Sequence, residues 1–304
     1  LDASATYDSS TTTWSIPDDS TNSNDGTSSG MTQANLVQSD LSFISGYSPY
    51  ALDFDGVNDY ITVNQINLGT TNTISFWYNG ETNVWSHIIG NGDAPNDYTI
   101  LVQNGVTVWY KVEDVLNGDV RWNVTNINDG NWHHLAFSRT NTTINLYING
   151  NLQTVYVNSL ANNDTKLDSI GAKTDGSYPF KGKLSNLSVW NTDLTSSQVS
   201  EIYSEGVPQN LNNHSAYSNL VSWWQLGSNS SFNTNWTVLD EKGSNNGTSS
   251  NMTEDDIVDG VGSYANGTSS GMGGDEIIGS APFSDSNSLS VNMDALDRTD
   301  DTPS

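Results

Sequence analysis

Short apolar segments that alternate with polar residues recur along the middle of the chain and predict β-strands. The clearest is segment 73–78, in which Ile74, Phe76 and Tyr78 fall on one face of an extended backbone. Short strands at regular spacing, with turn residues between them, are typical of a β-sandwich. The predicted strands of this region are 51–54, 59–63, 73–78, 87–90, 98–102, 106–110, 120–124, 132–138, 143–148, 152–157 and 183–190.

Two local signals predict a turn and a helix. Asn149-Gly150 follows an apolar strand, and Asn-Gly indicates a two-residue hairpin because both central residues of a type I′ turn need positive φ. Segment 195–203 has the apolar spacing of a helix, with Thr195 as its N-cap. We therefore expect a tight hairpin in the middle of the chain and one short helix after the last strand of the sandwich.

The chain also repeats itself. Segment 24–32 recurs as 245–253, and a partial third copy occupies 266–272. Trp14-Ser15-Ile16 precedes the first copy, and Trp236-Thr237-Val238 precedes the second. The repeat therefore predicts that two stretches of the chain, far apart in sequence, adopt the same local structure.

The repeat predicts a division of the chain. Residues 1–13 form a strand segment left over from a repeat unit, 14–205 one near-complete jelly roll, 206–218 a linker, and 219–304 a partial second unit. A unit without most of its strands cannot close its own sandwich. It must pack on the first unit, continue in further sequence, or be completed by another chain. The apolar residues predicted to serve such assembly are Trp223, Trp224 and Leu226.

Composition agrees with an all-β protein rich in loops. Asp, Asn, Ser, Thr and Gly favour turns, and 10 Trp and 13 Tyr supply a core. The formal charge of −26, from 9 basic and 35 acidic residues, argues against nucleic acid as a partner. The absence of Cys excludes a disulfide scaffold. No run of about 18 apolar residues occurs, so we expect no membrane insertion.

A resemblance to a known family is carried by segments 52–61, 74–77, 132–136, 146–150, 180–191 and the helix 194–203. On these segments the chain resembles the laminin-G-like jelly rolls of the concanavalin A-like lectin/glucanase superfamily. The resemblance implies an all-β jelly-roll β-sandwich, followed here by the partial second β unit, and a binding role more often than catalysis. The tandem, Ser- and Asn-rich style is similar to that of surface proteins of marine microbes and their phages.

The resemblance also implies calcium, because members of this family often hold Ca²⁺ at a sandwich edge. Oxygen ligands on loops are what Ca²⁺ prefers. Asp and Asn also occur in turns for backbone reasons, which is the alternative interpretation. The candidate ligands are Asp55, Asn58 and Asp59 in one tight turn, and Asn91, Asp93, Asn96 and Asp97 in the loop after strand 87–90.

Sugar binding needs aromatic faces for stacking and polar side chains for the hydroxyl groups. Several aromatic residues lie near predicted loops and form a candidate platform. The alternative is that each belongs to the core or to a sheet surface. The candidates are Trp85, Tyr98, Trp109, Tyr110 and Trp122.

Glycoside hydrolysis is a minor alternative. Glucanases of this superfamily carry Glu-x-Asp-x-x-Glu on one strand, and that triplet does not occur here. His133-His134 does not predict a metal site, because adjacent residues on a strand point to opposite faces.

Two functions of different classes remain. The first is a non-enzymatic extracellular or virion-surface protein, structural or adhesive, which binds glycans or neighbouring subunits through the sandwich. The alternative is a capsid decoration, fibre or filament subunit without a glycan ligand, assembled through the partial second unit. The expected partners are polysaccharides, further copies of the chain or other surface proteins, and calcium is the one cofactor expected.

Overall fold

The computed structural model describes residues 6–16, 25–30, 48, 50–81, 85–91, 99–112, 119–155, 157–158, 160–227 and 229–261. The chain divides into two compact units, Leu1–Ile44 and Ser45–Ser304. We call them the N-terminal unit and the sandwich unit. Among the described residues, no helix is long and apolar enough to cross a membrane.

The described part of the N-terminal unit is a small antiparallel sheet of three strands, β1 (Thr6–Asp8), β2 (Thr13–Ile16) and β3 (Gly26–Thr27), in that order. The backbone N–H of Trp14 donates to the Ser28 hydroxyl oxygen at 2.8 Å. We call residues 6–16 and 25–30 the N-terminal ribbon.

The sandwich unit contains two antiparallel sheets. The ten-stranded sheet has the order β14-β10-β9-β8-β7-β15-β5-β20-β19-β18. Its strands are β5 (Tyr60–Gly69), β7 (Ser86–Gly90), β8 (Ile100–Gln103), β9 (Thr107–Lys111), β10 (Asp119–Asn123), β14 (Val157–Asn158), β15 (Thr165–Ile170), β18 (Ser231–Phe232), β19 (Trp236–Val238) and β20 (Gly247–Ser250).

The eight-stranded sheet has the order β13-β12-β11-β6-β16-β4-β21, and β17 lies beside the C-terminal half of β16. Its strands are β4 (Tyr50–Asp55), β6 (Thr71–Gly80), β11 (His133–Thr140), β12 (Thr143–Ile148), β13 (Asn151–Leu152), β16 (Lys181–Trp190), β17 (Leu220–Trp224) and β21 (Ile257–Asp259).

The main core fills the space between the two sheets. The alternation predicted for segment 73–78 is confirmed, because Ile74, Phe76 and Tyr78 all point into this core and are fully buried. Phe137 stacks on Phe76 with ring centroids 6.2 Å apart, and the Trp122 ring meets Phe137 edge-on at 5.9 Å. The all-β jelly-roll sandwich predicted from the sequence is therefore confirmed.

The predicted hairpin and helix are both present. Asn149 and Gly150 have φ of 50° and 74°, as a type I′ turn requires, and Ile148 pairs with Asn151 across it. Helix α1 (Ser196–Tyr203) begins with a capping box between Thr195 and Gln198. Short 3₁₀ turns follow at Ser204–Gly206, Leu211–Asn213, Tyr217–Asn219 and Glu254–Asp256.

A second apolar cluster lies on the outer face of the eight-stranded sheet. Helix α1 packs there with its buried Val199 and Ile202, beside Trp190 and Trp223. His134 lies on the same face, with its ring 6.0 Å from that of Tyr203 and its Nε2 2.7 Å from the Ser75 hydroxyl oxygen. We call this surface the covered face. The prediction that His133 and His134 point to opposite faces is confirmed, since His133 contacts Asp129 instead.

The predicted division of the chain needs correction. Strand β17 joins β16, β20 joins β5, and β21 joins β4, so residues 220–259 complete both sheets of one sandwich. The described part of 219–304 is therefore no separate unit, and the division between the two units lies after Ile44 instead of at residue 14. The physical reason is that Trp224, Leu226 and Trp236 are buried in the same core as the earlier strands. Residues 262–304, with the third copy of the motif, lie outside the described residues.

Strand β15 (Thr165–Ile170) was not among the predicted strands. Its sequence, Thr-Lys-Leu-Asp-Ser-Ile, has too few apolar residues to stand out locally. It is held on both sides, by β5 and β7, and its position is therefore set by the sheet instead of by its own pattern.

Candidate functional site

The outer face of the ten-stranded sheet carries side chains that the core does not use. Along β9, Val108 and Tyr110 point into the core, whereas Thr107, Trp109 and Lys111 point outward and are partly exposed. This follows from the two-residue period of a strand. Trp109 therefore lies on the surface side of the sheet.

Arg121 lies directly beside Trp109. The two residues are Cα partners in the β9–β10 pair, and the guanidinium carbon of Arg121 is 3.5 Å from the centroid of the Trp109 ring. A cation over an indole is attracted by the negative face of the ring. The Arg121 side chain is 35% exposed, so the stacked pair is open to solvent on one side.

Two more side chains complete this arrangement. Asp119, two residues before Arg121 on the same face of β10, accepts a hydrogen bond from the Arg121 Nε. The Trp85 ring meets the Trp109 ring edge-on, with centroids 5.4 Å apart and planes at 64°. We call Trp85, Trp109, Asp119 and Arg121 the outer-face cluster.

The indole N–H of Trp109 is buried and has no hydrogen-bond acceptor among the residues that the structure describes. The same holds for Trp77, Trp122 and Trp223, but those three rings lie in the protein interior. Trp109 differs because it is partly exposed and belongs to the outer-face cluster. An unpaired buried donor costs free energy.

Two of the predicted platform residues are wrong for a surface role. Tyr110 and Trp122 are fully buried in the core. The Tyr110 hydroxyl lies 2.8 Å from the Thr165 hydroxyl, and burial raises the pKa of this phenol. Both residues occupy positions of their strands that face the core. Closeness to a loop in the sequence does not indicate which positions of a strand face inward. Tyr98 lies outside the described residues.

The predicted calcium ligands of the tight turn are engaged with backbone groups. The Asp59 carboxylate accepts from the Asp55 N–H at 2.9 Å, and the Asp55 carboxylate accepts from the Val57 N–H at 2.7 Å. Asn58 contributes its carbonyl oxygen to the Asn251 side-chain amide at 2.8 Å. Burial raises the pKa of Asp59 to about 6. This is the backbone role that Asp and Asn often have in turns.

Most of the second set of calcium candidates lies outside the described residues. Asn91 is partly exposed at the end of β7, and Asp93, Asn96 and Asp97 fall outside the described residues. Within the described ranges, no three His, Cys, Asp or Glu side chains form a group that could hold a metal ion. Calcium binding stays a prediction.

The predicted assembly residues lie inside their own chain, which corrects the prediction. Trp224 and Leu226 are fully buried in the main core, and the Trp224 Nε1 donates to the Asn245 carbonyl at 2.7 Å. Trp223 is 1% exposed in the cluster on the covered face. Adjacent residues on β17 thus serve the two faces of one sheet.

Sequence reasoning missed Asp119 and Arg121. Their signal was present, because Asp-Val-Arg-Trp-Asn alternates and places Asp119 and Arg121 on one face and Val120 and Trp122 on the other. What the sequence did not show is the strand register that sets Arg121 against Trp109.

The described residues thus combine a jelly-roll sandwich with an aromatic and charged cluster on one sheet face. Residues 55–200 match the Laminin_G_3 family model of the concanavalin A-like lectin/glucanases superfamily. No curated protein sequence matches the chain.

Solved structures agree on the fold. The chain matches a Bacteroides ovatus protein assigned as carbohydrate binding, with a TM-score of 0.53 and 16% identity over 70% of this chain and 60% of that one. A SAP-like pentraxin from Limulus polyphemus matches with a TM-score of 0.36 and 16% identity, over 51% of this chain and 82% of that one. The CBM40 of a Ruminococcus gnavus sialidase, bound to α2,3-sialyllactose, matches with a TM-score of 0.37 and 14% identity, over 52% and 100%. At 16% identity the likeness to the Bacteroides ovatus protein shows the fold and nothing more, and no argument rests on the two matches with lower TM-scores.

Proposed function

We propose that this protein is a non-catalytic glycan-binding protein that acts outside the cell or on a virion surface. The observation that carries the proposal is the outer-face cluster. Sugars bind by stacking on aromatic rings and by hydrogen bonds from their hydroxyl groups to polar side chains. Trp85 and Trp109 supply the rings, and Asp119 and Arg121 supply an acceptor and a donor beside them.

The superfamily supports this proposal. Its members include lectins, and the matched Bacteroides ovatus protein is assigned as carbohydrate binding. Fold alone does not fix function, so the weight rests on the cluster. The formal charge of −26 favours a soluble surface protein and disfavours ligands rich in phosphate or sulfate.

The chemistry of the cluster favours binding over hydrolysis. Glycoside hydrolases use two carboxyl groups that face each other across the bond to be cleaved. The cluster offers one described carboxylate, that of Asp119, and this group is already paired with Arg121. We therefore propose that the bound glycan is held and released unchanged.

The alternative function, assembly through residues 219–304, has lost its original support. The described residues of that region close their own sandwich and leave no unpartnered apolar strand there. A structural role of the protein would have to use another surface.

The test is binding to a panel of soluble polysaccharides by affinity electrophoresis, with each hit then measured by titration calorimetry. We expect at least one polysaccharide to retard the wild-type chain. Trp109→Ala should weaken its affinity by about tenfold or more, as for loss of a central aromatic anchor. A reducing-sugar assay on the same hits should show no cleavage.

The matched control removes the same kind of contact elsewhere. Lys242 lies over the Tyr217 ring, with its Nζ 3.4 Å from the ring centroid, so Tyr217→Ala also breaks a cation–π pair. The proposal fails if no polysaccharide binds, or if Y217A weakens binding as much as W109A.

A further inference from the structure

The repeated sequence motif is a repeated structure. In the sandwich unit, β18, β19 and β20 form an antiparallel ribbon, which we call the closing ribbon. Its pairs Ser231↔Thr237, Thr237↔Thr248 and Val238↔Gly247 correspond one to one with pairs of the N-terminal ribbon. Those are Thr6↔Ser15, Ser15↔Thr27 and Ile16↔Gly26.

A side-chain hydrogen bond is repeated as well. The Trp236 N–H donates to the Ser249 hydroxyl at 2.8 Å, and the Trp14 N–H donates to the Ser28 hydroxyl at the same distance. The two ribbons therefore share sequence, strand register and this bond between the Trp strand and the Gly-Thr-Ser strand. We infer that they are two copies of one building block.

The closing ribbon shows the structural role of this building block. Its last strand, β20, adds to the free edge of β5 through Thr248↔Thr62, Ser249↔Ile61 and Ser250↔Tyr60. Trp236 then enters the main core, and its Nε1 donates to the Thr253 carbonyl at 2.7 Å. The block thus covers an edge strand that would otherwise present unpaired backbone groups.

The N-terminal ribbon has the same edge, and no strand pairs with that edge among the residues that the structure describes. Among the described residues, β3 is an end strand of its sheet, with β2 as its neighbour on one side. Residues 25–29 differ from 246–250 by Asp25 in place of Asn246, and the Gly-Thr-Ser-Ser strand that docks in the closing ribbon is unchanged.

We propose that the N-terminal ribbon docks on the β5 edge of a second copy of this chain, in the place of that copy's closing ribbon. Copies would then be linked by strand addition, in which main-chain hydrogen bonds supply affinity and side-chain register supplies specificity. The resident closing ribbon has the advantage of being joined to its own sandwich, which raises its effective concentration. High protein concentration, or a closing ribbon that is loosened from β5, therefore favours the exchange.

Two glycines provide a matched pair of variants. A Cβ on Gly247 would lie 2.6 Å from the Ile61 Cγ2, so Gly247→Val loosens the closing ribbon from β5. A Cβ on the equivalent Gly26 meets atoms of Ile16 no closer than 3.6 Å, so Gly26→Val fits the N-terminal ribbon as it stands. Once docked on β5, however, it would make the clash that Gly247→Val makes.

The experiment is disulfide trapping between two full-length chains, which is clean because the native chain has no Cys. The donor carries T27C, and the acceptor carries T62C with G247V. Thr27 is equivalent to Thr248, the Cα partner of Thr62, and such cross-strand pairs lie within disulfide range. A T62C/T248C chain, which should close its own disulfide, is the positive control.

We expect a T27C–T62C cross-linked dimer, identified by mass spectrometry of the joined peptides. G26V in the donor should lower its yield by about tenfold or more, because overpacking a fitted contact is costly. A donor with T11C, in the turn between β1 and β2, sets the background. A yield from T27C at that background, or one that G26V does not change, would overturn the proposal.

A second acceptor guards against misfolding of G247V. This acceptor carries T62C with the closing ribbon intact and is incubated with a large molar excess of donor. Cross-linking should be slower, because the resident ribbon must open first, but it should show the same dependence on Gly26. If G26V in the donor leaves the cross-link yield unchanged with this acceptor too, the result would count against docking on β5.

Discussion

The outer faces of the two sheets in the sandwich unit differ in how far other parts of the chain cover their aromatic residues. On the eight-stranded sheet, helix α1 packs over part of the face, and Trp190 and Trp223 are buried there. On the ten-stranded sheet, Trp109 and Arg121 remain partly exposed beside Asp119. The difference indicates that aromatic residues on a sheet surface contribute to stability where another element covers them, and remain partly exposed where no described element does.

The largest expected effect is the loss of a tryptophan from the covered face. Trp223→Ala should lower the free energy of unfolding by about 3–5 kcal/mol, because it leaves a cavity under helix α1. Trp109→Ala, the same change on the other face, should cost about 1 kcal/mol or less. Denaturant unfolding followed by circular dichroism measures both. Equal losses would contradict the division of roles between the two faces.

The next largest effect is a pH dependence of the free energy of unfolding, which arises from a buried histidine on the covered face. Burial lowers the pKa of His134 to about 3, whereas an unfolded histidine titrates near 6.5. Between these values the unfolded chain binds one more proton than the folded chain. The free energy of unfolding should therefore fall as the pH falls below about 6.5, by at most about 1.4 kcal/mol per pH unit for this residue.

His134→Gln tests this dependence, because glutamine is neutral at every pH used. Denaturant unfolding at several pH values between 7 and 4 should give a shallower slope for H134Q than for the wild type. The matched control is H133Q, one residue earlier and on the opposite side of β11. His87, whose pKa burial also lowers to about 3, should keep part of the slope in both variants. An unchanged slope in H134Q would show that His134 takes up its proton in the folded state.

A smaller effect separates stability from binding on the exposed face. Arg121→Ala removes the cation from the Trp109 ring and should lower the free energy of unfolding by about 0.5–1 kcal/mol. The same variant should weaken glycan affinity by more than that free energy, because it also removes the guanidinium that is proposed to donate hydrogen bonds to the sugar. Titration calorimetry measures the change in affinity, and denaturant unfolding of the same variant measures the change in the free energy of unfolding. An effect on stability without one on affinity would place Arg121 outside the binding surface.

The smallest expected effect concerns calcium. If the turn of Asp55, Asn58 and Asp59 binds Ca²⁺, saturating calcium should raise the melting temperature by a few degrees relative to a chelator. Asp55→Asn should remove that rise, since it removes the charge of an exposed carboxylate in the turn. A rise that persists in D55N would direct attention to Asn91 and the loop that follows it.

The sequence predicted local structure well where a short pattern contains all the information. The Asn149-Gly150 hairpin, the Thr195 cap and the inward residues of β6 depend on neighbours within a few positions. The sequence was misleading where a residue's surroundings come from distant strands. Tyr110 and Trp122 were expected near a surface and lie in the core, because register and not distance from a loop decides which way a strand residue points.

The repeat shows most clearly which part of the structure the local sequence determines and which part it does not. The sequence by itself determined that residues 13–28 and 236–250 form the same ribbon, because turn residues, alternation and the Trp–Ser bond are local to each copy. The tertiary structure decided that the second copy closes the sandwich instead of starting a new unit. That outcome depends on the edge of β5 and on a cavity in the core that accepts Trp236, and both are formed by residues almost two hundred positions away. Pairing between distant strands is set by the free energy of the whole sheet, which no local pattern encodes.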